Sequence, residues 1–110
     1  MEFLKNVYER RKKYFENLDR YLEEVKKIVN ELSHQAEVYL YGSVVEGDYS
    51  IGLSDIDVAI VSEEFRSRER KLEVFDRLLK EFFDSPVEFH ILSPEQWGFY
   101  KRFVKRFRRV

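Results

Sequence analysis

Cysteine is absent from all 110 residues, which removes disulfide bonds, thiolate nucleophiles and every cysteine-based zinc or iron–sulfur site. Threonine is missing as well, asparagine occurs three times and glutamine twice. Few labile amides beside dense charge is a composition shared with proteins of hot environments. No apolar run approaches the roughly 18 residues that a membrane span requires. The stretch MEFLKNVYERRKK is charged throughout and lacks the apolar core of a secretory signal. No membrane association is expected, and the cytoplasm is the expected compartment. Hydrophobic residues make up 44%, charged residues 37% and aromatics 16% of a 13.5 kDa chain. That balance predicts one compact domain, residues 1–110, with a single modest core.

The formal net charge of -1 conceals a strong pattern. Residues 31–65 carry eight acidic groups and no Lys or Arg, whereas residues 101–110 carry six basic groups and no acid. A segment that acidic repels phosphate unless a cation intervenes. The basic run KRFVKRFRRV interleaves Phe103, Val104 and Phe107 with its cations. At helical spacing this makes an apolar stripe and a basic face, a C-terminal helix over about 94–108. Nucleic-acid binding through that face is the less favoured reading, as is a protein contact.

Apolar residues at steps of three and four predict one long helix over about 4–32, with a charged gap between Val7 and Tyr14 where it could break. At 1.5 Å per residue it would reach roughly 40 Å. Residues 36–41, 55–61 and 87–92 read as strands. A short helix after Ser43 is compatible with the sequence, and residues 44–54 have loop chemistry. Ser67 starts a helix over 68–83 whose apolar face is Leu72, Phe75, Leu78, Leu79, Phe82 and Phe83. Ser93, Pro94 and Gln96 form the start signal of a last helix.

The chemistry lies in the phase of two strands. In SDIDVAIV, Asp55, Asp57 and Ala59 share one face while Ile56, Val58 and Ile60 turn to the core. The two carboxylates then stand roughly 7 Å apart at their Cα atoms. In PVEFHIL, Val87, Phe89 and Ile91 are the core face and Glu88, His90 and Leu92 the other. If the two strands are neighbours, Asp55, Asp57 and Glu88 converge into an oxygen-rich site for a hard divalent ion such as Mg2+. Two such ions clamp the attacking and leaving oxygens of a transferring phosphoryl or nucleotidyl group. They would also let the acidic segment meet a triphosphate. His90, on the same face as Glu88, is read as a metal ligand, a neighbour outside the ligand set, or a plain exposed histidine. Gly42-Ser43 closes the first strand, where a glycine turn brings backbone close to a ligand and free amides can grip phosphate. It is not a P-loop, because the GxxxxGK[ST] pattern is missing. Taken singly, a DxD on an edge strand is equally a guard against aggregation.

As an ordered set, YGS, GLSDIDVAI and VEFHIL resemble the minimal nucleotidyltransferase (MNT) domains of the DNA polymerase β superfamily. The resemblance spans about residues 35–92. It matches Gly42 and Ser43 to the family's GS, Asp55 and Asp57 to its metal-binding pair, and Glu88 to its third carboxylate. Gly47 matches a family glycine, but Glu46 stands where members often carry Arg. The resemblance implies an α/β (α+β) fold, a mixed sheet with helices packed on one face and an open nucleotide site on the other. It implies Mg2+, two ions, held by Asp55, Asp57 and Glu88, and transfer of AMP from ATP to a hydroxyl. Glu88 would accept the attacking hydroxyl's proton. It also implies, as acceptor, a tyrosine of a HEPN-type toxin partner, this chain being the antitoxin. The alternative is an MNT-fold antitoxin with little chemistry that neutralises its partner by binding, for which Glu46 is the motive. The apolar stripes exceed what one three-stranded sheet needs, so a HEPN-type partner or a homo-oligomer is expected to cover the excess.

Overall fold

The computed structural model describes residues 2–110. The elements, in chain order, are α1 (Glu2–Glu16), α2 (Leu18–Leu32), β1 (Glu37–Tyr41), α3 (Ser43–Glu46), β2 (Ile56–Val61), a 3-10 turn (Glu63–Arg66), α4 (Arg68–Glu81), β3 (Val87–Leu92), α5 (Pro94–Tyr100) and β4 (Phe107–Arg109). The four strands form one mixed sheet in the order β3-β2-β1-β4. β1 runs antiparallel to β2 and β4, and β2 runs parallel to β3 through the α4 crossover. The expected α/β class with a mixed sheet is the one found, with helices packed around the sheet; α5 lies on the face expected to be open.

Alternation decides the two faces of the sheet. Ile56, Val58 and Ile60 of β2, Val38 and Leu40 of β1, and Phe89 and Ile91 of β3 are buried against α2 and α4. From α2 come Tyr21, Leu22, Val25, Ile28 and Val29, which follow the 3.6-residue period. The 3-10 turn adds Phe65, fully buried. On the other face Tyr41, Ala59, Val61 and Leu92 are buried with Trp97 of α5. α5 thus covers part of the second face, while Asp57, Glu88 and His90 on that face are not buried. α5 begins as its start signal predicts. The Ser93 hydroxyl accepts from the Gln96 backbone N–H at 3.3 Å, while the Gln96 side-chain oxygen Oε1 accepts from the Ser93 N–H at 2.9 Å.

Three expectations need correction. The long helix over 4–32 breaks at Asn17, whose φ of -115° and ψ of 33° leave the helical region. Its side-chain amide donates to the Lys13 carbonyl at 2.9 Å, and such local bonding competes with helix continuation. The break lets α1 leave the line of α2; α1 buries only Phe15. The expected helix over about 94–108 stops at Tyr100, and Phe107–Arg109 becomes a strand on the free edge of β1. Unpaired N–H and C=O groups on β1 favour a partner strand over further helix. FRR also fits a period of two: Phe107 packs edge-on against Tyr39 and Trp97 at ring separations of 5.7 and 5.6 Å. The basic face is partly consumed by pairing, Arg108 with Asp19 at 3.2 Å and Arg109 with Glu37 at 3.8 Å. Third, α4 buries Val74, Leu78 and Phe82, and leaves Leu72, Phe75, Leu79 and Phe83 exposed. The apolar arc of the 68–83 helix is wider than the sheet beneath it can cover.

Candidate active site

The register aligns the acidic residues. Tyr41, Asp57 and Glu88 occupy one row across β1, β2 and β3, and Ala59 and His90 pair in the next row. Asp55 lies one residue before β2 on the same face as Asp57, and is exposed. Its backbone is flanked by a ladder bond, because the Ile56 N–H donates to the Pro86 carbonyl at 2.9 Å. Asp55, Asp57 and Glu88 therefore share the open end of the second face, as the phase of the strands predicts.

His90 joins them more closely than the sequence reading favoured. Its Nε2 lies 3.5 Å from Glu88 Oε1 and 3.9 Å from Asp57 Oδ1. One ligand atom from each of Asp57, Glu88 and His90 falls within 4.8 Å of the others. A metal with bonds of about 2.1 Å spaces its ligands by roughly 3.0–3.5 Å, so these side chains need only a small rotation to share an ion. The imidazole stands between the rings of Tyr41 and Tyr100, at 5.8 and 5.7 Å. Those aromatic walls hold Nε2 towards the carboxylates, and nothing in the strand alternation pointed to them.

The electrostatics are those of like charges brought together. Burial, and then the charges of Asp57 and Asp55, push Glu88 above the usual glutamate value, while His90 opposes the rise. The Tyr41 hydroxyl is raised strongly, first by burial and next by Asp57. Carboxylates in this state gain from any cation that arrives between them.

Gly42 explains how Asp57 fits. Its φ of +84° belongs to the region that favours glycine, and a Cβ at this position collides with Asp57 Oδ2 and approaches Cγ at 3.3 Å. The strand-ending glycine is thus a cradle for a carboxylate. Ser43 then opens α3, whose first turn forms as the Gly42 carbonyl accepts from the Val45 and Glu46 N–H groups, both at 3.1 Å. The four-residue α3 ends at Gly47, with a left-handed φ of +77°. The Asp57, Glu88 and His90 donors, with a cradle that only glycine leaves open, fit a divalent cation; Asp55 supplies a further oxygen beside them.

A cavity of about 440 Å³ opens beside this site, at the exposed edge of β3. Asp55, Glu88 and His90 line one side; Phe75 and Leu79 of α4 line another, and Arg11 of α1 completes it. Arg11 was invisible to sequence reasoning. It sits in a run of surface-type charge, 44 positions before Asp55, and only the fold brings the two together.

Comparison with known proteins agrees with this geometry. The family model for the nucleotidyltransferase domain matches residues 22–110. A crystal structure described as that of a candidate nucleotidyltransferase is 59% identical over 82% of this chain and 97% of its own, with a TM-score of 0.76. A second, from Sulfolobus solfataricus and described in the same terms, is 22% identical over 94% of this chain and 84% of its own, with a TM-score of 0.57, a likeness of fold alone. No curated protein matches the chain.

Proposed function

The chain belongs to the nucleotidyltransferase domain family, and we propose that it transfers a nucleoside monophosphate, AMP from ATP, to a hydroxyl acceptor with release of pyrophosphate. The observation that carries this reading is the convergence of Asp57 and Glu88 at paired register positions, with Asp55 on the same face and Gly42 making room. Asp55, Asp57 and Glu88 would hold the divalent ions. Mg2+ bound there would stabilise the charge on the attacking and leaving oxygens. Glu88 would also be the group within reach to take the proton of the acceptor hydroxyl. Ser43 and the backbone at Gly42 would contact the phosphates. His90 orients the carboxylates or adds a nitrogen ligand.

The acceptor we favour is a tyrosine of a HEPN-type protein. Support comes from the cavity wall: Phe75 and Leu79 belong to the uncovered row Leu72, Phe75, Leu79 and Phe83 along α4, a surface suited to a protein. The experiment is incubation with labelled ATP, Mg2+ and such an acceptor. Label should pass to the acceptor in the wild type and fall at least about a hundredfold in Asp57→Asn and Glu88→Gln. Absence of any transfer by the wild type would refute the enzymatic reading.

A second reading rests on Glu46, the half-buried last residue of α3 in a stretch without Lys or Arg. Here the domain neutralises its partner by contact. The Asp55→Asn/Asp57→Asn double variant separates the two, because it keeps full inhibition only under this second reading.

A further inference from the structure

Between Gly42 and β2 the chain runs through a loop that has to deliver Asp55 at a fixed point, and little of that loop is held by the sheet. Within the loop, the Ser54 N–H donates to the Ser50 carbonyl at 2.8 Å and the Ser54 hydroxyl accepts from the Ser50 N–H at 2.9 Å. The longer tether comes from α1. The Arg11 guanidinium, half-buried, donates from Nε to the Ile51 carbonyl at 2.7 Å and from a terminal nitrogen to the Ser54 carbonyl. The Ser54 carbonyl belongs to the peptide that enters Asp55. With Ile56 N–H bound to Pro86 on the other side, Asp55 is clamped from both of its neighbours. A planar guanidinium can span two carbonyls at once, as an ammonium cannot. Four residues along α1, Phe15 stacks on Tyr49 of the same loop at a ring separation of 5.1 Å and an interplanar angle of 4°. The neighbouring Arg10 reaches the other strand entry, pairing at 3.1 Å with Asp84 in the turn before β3.

We propose that Arg11 is a positioning residue of the acidic site, holding from α1 the 51–54 loop that presents Asp55 to Glu88 and Asp57. α1 lies outside the segment that matches the family model. Arg11 also faces the shared cavity, which makes α1 one wall of the site rather than an accessory to the core. Only the enzymatic consequence rests on the reading of the preceding section; the tether does not.

The test uses the full chain with Arg11→Met, Arg11→Lys and the control Arg10→Met. Amide hydrogen exchange is followed in peptides covering 49–56, with α2 and β1 as internal references, and Mn2+ binding is titrated without nucleotide. Losing charge-assisted bonds to two carbonyls should speed exchange of the loop about tenfold or more in Arg11→Met. The α2 and β1 rates should stay unchanged, and Mn2+ should bind several-fold more weakly. Arg11→Lys should recover part of both losses and Arg10→Met should leave the loop at its wild-type rate. A loop exchanging in Arg11→Met as in wild type overturns the proposal. So does faster exchange spread evenly over the chain, which would make Arg11 a general stability residue. Exchange needs neither metal nor transfer, so a wild type that transfers nothing refutes the proposed activity while leaving this tether to be judged by its own readout.

Discussion

Gly42 carries the sharpest expectation for any single residue. Alanine there meets two penalties, a φ of +84° and a collision with the Asp57 carboxylate. Gly42→Ala should lose about 1–2 kcal/mol of stability in urea denaturation, and should lose divalent-ion binding with it, because Asp57 has to move. Glu88 behaves in the opposite sense. A glutamate raised by burial and by Asp57 and Asp55 binds its proton more tightly folded than unfolded. Its contribution is therefore present below the ordinary glutamate value of 4.5 and is lost as pH rises through the elevated one. Glu88→Gln should accordingly raise Tm at pH 7 in metal-free buffer while abolishing transfer; a lowered Tm would contradict the strained acidic cluster. Glu64 titrates with the reverse sign. The Ser33 hydroxyl first, then Arg70, hold it below the usual range, so its contribution is present above pH 4.5 and lost as pH falls towards the depressed value. Glu64→Gln should flatten the acid limb of a stability–pH curve. The phase of β2 and β3 made the carboxylates visible in sequence, whereas the tyrosine walls of His90 were not, since Tyr41 and Tyr100 are 59 positions apart.

At the scale of elements, α4 and β4 show where pattern and packing part. In α4 and the two residues after it the sequence offers seven apolar positions between Leu72 and Phe83, yet only Val74, Leu78 and Phe82 are buried. Leu78 is completely buried while its neighbour Leu79 is 43% exposed. Leu78→Ala should cost about 2–5 kcal/mol by cavity formation, and Leu79→Ala no more than about 0.5 kcal/mol, both read from chemical denaturation. Equal costs would mean that the exposed row is covered in solution. In β4 the same residues satisfy both a helical and an alternating period. Local spacing could not choose between them, because the choice depends on the free hydrogen-bonding edge of β1, more than sixty residues upstream. The reverse holds for α5, whose capping box is a purely local signal and forms as read.

For the whole molecule, the two halves of the charge pattern have different fates. Of the acidic middle, Asp55 and Asp57 lie at the candidate cation site, whereas Glu31, Glu37, Glu63 and Glu64 pair with Arg77, Arg109, Arg66 and Arg70. The basic terminal run is spread along a short edge strand, with Arg108 and Arg109 turned to Asp19 and Glu37. No helix among the described residues is long and apolar enough to cross a membrane. Residue order alone determined the succession of helices and strands from β1 to α5, the two carboxylate strands and the glycine turn that precedes them. Each of these follows from a period of two, a start signal or a φ requirement contained in a few consecutive residues. Tertiary structure alone decided that β2 and β3 are parallel neighbours in a register that sets Asp57 beside Glu88. It also decided that His90 leans into that pair, that α5 closes the far part of the same face, and that Arg11 reaches the loop before Asp55. Those outcomes depend on which distant surfaces exclude water together and which unpaired backbone edges meet, and no short stretch of sequence contains either quantity.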